Sequence, residues 1–390
     1  MRRDAAGADR RREVRVAARG WRRAGAIDDR VLDTVVRSYP DDRVRLGPSF
    51  RGLAFVFTAL ALNAVFFFVI AVFRPDAHAG GVSAVAFGLF LGALADIQFR
   101  GLKREEGGTE TATALVGLAY ILGGAGLLMF DARGGDRTLL SWLFALATLA
   151  FTAAAWRWGM RVCAALAGVS FFLLLTEGPV PRPLWIVASA LLIPPLTAAG
   201  EYPRLPPAHR RSVQVVLGLA LMALYAAFNL RSWDAGFIES MTSGADRSRD
   251  SPWRPLAIAG TSLIPLAAIA FGVLTRRRLF LDVGLALGIV SLVTLRFYVH
   301  FAPLWVVLTL GGGAAIAAAL ALRRFLASGA GGERGGFTAE PLFEDPGKHR
   351  SLEVAAALAA SPAVKVTASD DRSLAPGGGR FGGGGASGEY

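Results

Sequence analysis

The sequence predicts an all-α fold: a polytopic transmembrane bundle of about ten helices, with a small N-terminal cytoplasmic helical hairpin before it and a disordered Gly-rich C-terminal tail after it. Three observations carry this expectation. Of the 390 residues, 53% are hydrophobic and 18% charged, with a mean hydropathy of +0.45, well to the apolar side of a soluble domain. The apolar residues gather in blocks of roughly 20, the length that crosses about 30 Å of hydrocarbon. Charge is displaced to the edges of those blocks and to both ends of the chain. The chain therefore divides into a leader (1–51), a membrane domain (52–326) and a mostly disordered tail (327–390).

In the leader, Val14, Ala17, Ala18 and Trp21 fall at helical spacing, Gly25 can end that helix, and Asp28 can open a second one. Val31, Leu32, Val35, Val36 and Tyr39 line one face of the second helix until Pro40 stops it. The two apolar faces are expected to close on each other. The leader also holds 14 Arg against 8 acidic residues, which favours contact with an anionic leaflet. No short apolar run opens the chain, so the first span is expected to serve as an uncleaved anchor.

The ten expected spans lie at about 52–73, 81–99, 109–130, 138–156, 160–176, 183–200, 212–230, 255–275, 279–295 and 302–322. An even number places both termini on one side. Loops after spans 2, 4, 6 and 8 carry eleven Arg and Lys residues, whereas loops after spans 1, 3, 5 and 9 carry five. Cationic loops are retained inside during insertion, so the even loops and both termini are assigned to the cytoplasm. The long loop after span 7 has four Arg, balanced by Asp234, Glu239, Asp246 and Asp250. The expected location is a bacterial inner membrane.

Beyond Leu326 the composition turns to Gly, Ala, Ser and charge, which cannot bury enough apolar surface to offset ordering entropy. Ser351 can cap one short helix that ends before Pro362, and Phe337, Leu342 and Phe343 are available for docking.

The run Trp21-Arg22-Arg23-Ala24-Gly25-Ala26-Ile27-Asp28, followed by a short helix and many apolar spans, resembles the N-terminal signature of a bacterial family of predicted polytopic membrane proteins of unknown function. That signature has a Trp, a Gly four residues later and an Ile two further on. The resemblance is specific in the leader and rests on hydropathy elsewhere. It implies a bacterial membrane protein and no particular activity.

Ionisable groups inside spans are functional candidates, because burying a charge in hydrocarbon costs at least about 2.5–3.5 kcal/mol. Asp96, Glu110 and Asp282 fall near the expected cytoplasmic ends. There Asp96 can pair with Arg100 and Asp282 with Arg278 at i,i+4 spacing, or the three can form a carboxylate cluster for a cation or proton. Arg296 and His300 stand in an aromatic segment with Phe297, Tyr298 and Phe301. This reads as an outer-interface belt or, alternatively, an anion or proton site. Pro194 and Pro195 in span 6 and Pro265 in span 8 are candidate helix breaks, the feature that lines sites in many transporters. Gly88/Gly92 and Gly284/Gly288 have small-xxx-small spacing, and Asn63 and Asn229 suit interhelical hydrogen bonds.

No G-x-x-x-x-G-K-S/T loop, H-E-x-x-H or G-x-S-x-G motif occurs. The four His residues are scattered, and the single Cys163 allows neither an intramolecular disulfide nor a thiolate cluster. No metal, cofactor or catalytic residue is expected. The net charge of +12 is split between the leader and the helix ends, which argues for lipid contact and against nucleic acid. The expected function is a non-enzymatic scaffold that lies in the bilayer and recruits a cytoplasmic protein partner through residues 1–51. The alternative is a secondary transporter of a small solute or ion that uses broken spans 6 and 8.

Overall fold

The computed structural model describes residues 3–23, 25–40, 47–102, 107–133, 138–178, 180–202, 205–229, 254–298, 304–329, 333–334 and 337–338. The chain forms two compact units, Met1–Phe301 and Ala302–Tyr390. The described part of the first is entirely helical. It comprises α1 (Arg3–Arg23), α2 (Asp29–Ser38), α3 (Pro48–Phe73), α4 (Ala77–Arg100), α5 (Thr109–Arg133), α6 (Thr138–Trp158), α7 (Arg161–Thr176), α8 (Pro181–Glu201), α9 (Pro207–Phe228), α10 (Arg254–Thr275) and α11 (Arg278–Tyr298).

Among the described residues, eight helices are long and apolar enough to cross a membrane: α3 to α6 and α8 to α11. Helix α7 is apolar but has 16 residues. Large apolar side chains cover the outside, with Phe68, Leu149 and Leu191 each 70% exposed. Such a surface is unfavourable in water and suits hydrocarbon. The chain is a multi-pass α-helical membrane protein.

Caps, rather than hydropathy, set where the helices begin. Pro48 occupies the first turn of α3 and Pro207 that of α9, where a missing N–H costs nothing. Asp76 Oδ1 accepts from Ala79 N at 2.7 Å and opens α4 four residues before the apolar run.

Sequential helices pack as antiparallel pairs, α4 with α5, α6 with α7, α8 with α9 and α10 with α11. The α4–α5 seam brings backbone against backbone. A Cβ on Gly88 would stand 2.5 Å from Gly117 O, and one on Gly124 would stand 2.7 Å from Gly81 O. Gly92 and Gly288 face open space, so each expected small-xxx-small pair supplies one contact glycine. The seam instead runs at seven-residue spacing, Gly81 and Gly88 against Gly124 and Gly117, the repeat that keeps one face of a helix on its neighbour.

The expected helix breaks do not occur: α8 runs through Pro194 and Pro195, and α10 through Pro265. A helical proline removes one i→i−4 bond and tolerates continuity where a neighbour satisfies the freed carbonyl. At Pro265 that carbonyl belongs to Thr261, and Ser291 Oγ of α11 donates to it at 2.6 Å.

The leader is held by local chemistry. Gly25, at φ +73°, donates to Arg22 O, and Ala26 N donates to Trp21 O, the paired bonds of a Schellman stop. Asp28 Oδ1 caps α2 by accepting from Val31 N at 2.8 Å. Arg22 donates to both Asp29 carboxylate oxygens, at 2.5 and 2.6 Å, and this bond holds Asp29 below the ordinary carboxylate range. Helix α1 packs on α9, with Ala8 and Ala18 buried and Glu13 3.6 Å from Arg211. Helix α2 touches α1 but buries no residue, and Val31 and Tyr39 are exposed. The two helices are in contact, with Leu32, Val35 and Val36 of the expected α2 face half-buried and Ala17 and Trp21 of the expected α1 face exposed.

The second unit contains α12 (Leu304–Ala327), β1 (Glu333–Arg334) and β2 (Phe337–Thr338). The strands pair antiparallel, Glu333 with Thr338 and Arg334 with Phe337, and both contact α12. Part of the segment expected to lack structure is thus ordered, and Phe337 lies in it. Two glycines separate the strands in sequence, the composition that tight hairpins favour. Leu342, Phe343 and the helix expected from Ser351 lie outside the described residues.

Candidate functional site

Five helix termini meet where α1 lies on the bundle. They are the starts of α3, α5, α7 and α9 and the C-terminal end of α6, and α4 adds Phe99. They enclose an open recess of about 630 Å³. Its floor is firm: Trp158 stacks on Phe99 with ring centroids 5.8 Å apart, and both belong to a buried cluster with Ala95, Leu118, Met160 and Cys163. Gly159, at φ +68°, makes the two-residue link between α6 and α7. A Cβ there would be 3.0 Å from Ala208 of α9, so the turn needs glycine on two counts.

Charge on the recess is mostly positive. Arg12 of α1, Arg51 of α3, Arg161 of α7 and Arg211 of α9 line it, against Asp9 and Glu110. Glu110 is fully buried and already engaged: its Oε1 accepts from Gly107 N at 2.7 Å and Gly108 N at 3.3 Å. All four arginines have partners within the protein, Arg211 through Glu13. No side-chain hydrogen bond caps the N-termini of α7 or α9, which leaves two positive helix ends at the same place.

Asp96 lies just behind this wall. Arg157 grips it through Nε and Nη2 at 2.9 and 2.8 Å, Trp158 Nε1 donates at 3.2 Å, and Arg100 Nε stands 3.3 Å away. Asp282, on the surface of α11, pairs with Arg278 at 3.2 Å. Asp96, Glu110 and Asp282 thus each have separate partners. The side chain of Arg296 and the whole of His300 lie outside the described residues. Pro194 and Pro195 stand inside continuous α8, and Pro265 beside the polar contacts of α9, α10 and α11.

Those contacts form a second buried polar group. Asn229 Nδ2 donates to Tyr225 Oη at 2.8 Å and to Thr294 Oγ1 at 3.1 Å. Thr261 Oγ1 donates to Phe228 O at 3.4 Å, and Ser291 meets Thr261 O. Every member is uncharged and buried, so the group stitches three helices together. Asn63 behaves likewise, accepting from Tyr120 Oη at 2.8 Å and joining α3 to α5. Among the described residues no three His, Cys, Asp or Glu side chains gather as metal ligands.

Sequence reasoning counted Arg161 and Arg211 for orientation and treated Arg12 and Arg51 as general leader charge. The signal that could have joined them was the short Gly159-Met160 link, which draws the ends of α6 and α7 together beside the leader. Fold and recess define a multi-pass helical membrane protein with a basic chamber at one end. Set against family models, curated proteins and solved structures, the chain matches none.

Proposed function

We propose that the chain is a ten-span bacterial inner-membrane protein with both termini in the cytoplasm, acting without catalysis as a scaffold that presents its leader to a cytoplasmic protein partner. The observation that carries this reading is the division of labour in the leader. Helix α1 contacts α9, where Glu13 stands 3.6 Å from Arg211, and buries Ala8 and Ala18, whereas α2 is capped, oriented by the Arg22–Asp29 pair and left with no buried residue. A rigid, displayed amphipathic helix is the form in which helix-in-groove recognition presents its anchors. The resemblance around Trp21, Gly25 and Ile27 supports a bacterial source. A count of ten adds α7 and α12 to the eight long spans. At about 1.5 Å per residue the 16 residues of α7 cover about 24 Å, a mismatch that local thinning and snorkelling Arg161 can absorb.

The test is a photo-crosslinking residue placed at Val31, at Tyr39 and, as a lipid-facing control, at Leu274, in the full chain in its native membrane. Discrete protein adducts at the first two positions and lipid adducts at Leu274 are expected. Lipid adducts alone at Val31 and Tyr39 would sink the scaffold reading and make α2 a membrane-surface helix.

A further inference from the structure

We infer that the basic recess is a binding site for a phosphate group, borne either by an anionic phospholipid or by a free phosphate compound. This goes beyond the scaffold reading and does not depend on which side of the membrane the recess faces.

Four guanidinium groups from four helices line one chamber with two carboxylates, and one carboxylate, Glu110, is turned onto the backbone amides of Gly107 and Gly108. With Glu13 paired to Arg211, the groups around the chamber still keep an excess of positive charge, which attracts anions. Guanidinium groups present a planar fork of donors that matches two phosphate oxygens at once. The uncapped starts of α7 and α9 add positive ends to the same volume. Position then narrows the source. The recess opens where spans end, the depth at which lipid phosphates lie. Its rim carries the exposed, apolar Val56 and Val162, side chains suited to the first carbons of acyl chains. Firmness completes the case: stacked Phe99 and Trp158 and the Gly159 turn form a floor that needs no rearrangement, which limits the ordering cost of binding.

The test uses the full-length, delipidated protein in neutral detergent. Its thermal midpoint is titrated with phosphatidylglycerol, with phosphatidylcholine and with inorganic phosphate and pyrophosphate, while native mass spectrometry counts retained lipids. The variants are Arg51→Gln/Arg161→Gln, Arg51→Lys/Arg161→Lys and, on the exposed far end of α3, Arg74→Gln. Arg211 is left intact because it tethers α1 through Glu13. Phosphatidylglycerol is expected to raise the midpoint more than phosphatidylcholine. The glutamine pair should weaken that response at least about tenfold, the lysine pair by less, and Arg74→Gln not at all. If the glutamine pair fails to fold, the lysine pair decides, since it retains charge and loses the fork. A phosphatidylglycerol response without a phosphate response assigns the site to lipid. Competition by pyrophosphate assigns it to a soluble compound. Equal responses to both lipids with none to phosphate would overturn the inference, as would an Arg74→Gln effect as large as that of the recess variants.

Discussion

Pro265 has no N–H, and the carbonyl it leaves without a helical partner, Thr261 O, accepts from Ser291 Oγ at 2.6 Å in a site where both residues are buried. That pairing makes a quantitative prediction. Ser291→Ala should cost about 1 kcal/mol, read as a lower thermal midpoint in detergent, because a buried carbonyl loses its donor. In a Pro265→Ala background the restored backbone N–H should take over, and the same Ser291 substitution should cost close to nothing. Equal costs in both backgrounds would show that Ser291 contributes by packing alone. The proline itself was legible in the sequence as a special position, but its consequence was not. Its compensating hydroxyl comes from a residue 30 positions along the chain from Thr261, on a helix whose facing side has no sequence signature. Asp96 gives the same lesson. Arg100 at i+4 was predictable from spacing, whereas Arg157, 61 residues away, required the packing of α6.

At the scale of elements, the membrane removes the hydrophobic drive between helices, so contact area and backbone approach decide which helices pair. Helices α4 and α5 approach backbone to backbone, and their glycines are not equivalent. Gly88→Ala should push a Cβ into Gly117 O and Ile121 N, lowering stability by about 1–3 kcal/mol as the helices separate. Gly92→Ala, one turn on and facing open space, should change it by less than about 0.5 kcal/mol. Thermal unfolding of the two variants side by side checks this, and equal losses would show that the seam lies elsewhere. Small-residue spacing reveals that a helix has a close-packing face. It does not reveal the partner, and so the seven-residue register of Gly81, Gly88, Gly117 and Gly124 emerged only from the pairing. Helices α3, α4 and α9 begin several residues ahead of the expected spans for a related reason. Hydropathy marks hydrocarbon, whereas Asp76, Pro48 and Pro207 mark helix, and the two differ by several residues.

At the scale of the molecule, apolar blocks of membrane length were the strongest signal in the chain, and among the described residues eight of them are helices of spanning length. The recess was invisible by contrast, because its arginines lie at positions 12, 51, 161 and 211 and only the folding of five helix ends brings them together. Orientation follows from the same arginines by a different route. The loops at the recess end carry the larger share of Arg and Lys, and the proposed cytoplasmic placement of that end rests on this bias. Cysteine reporters test it, since Cys163 is fully buried and adds little background. In intact cells an impermeant maleimide should label Ala77→Cys, at the start of α4, and should label Ser38→Cys, in the exposed leader, only after lysis. Labelling of Ser38→Cys in intact cells would invert the assignment. The scaffold reading needs a cytoplasmic partner and would fall with it, whereas the recess would keep its four arginines beside the ends of the spans in either orientation, and its affinity for phosphate would then concern the outer leaflet.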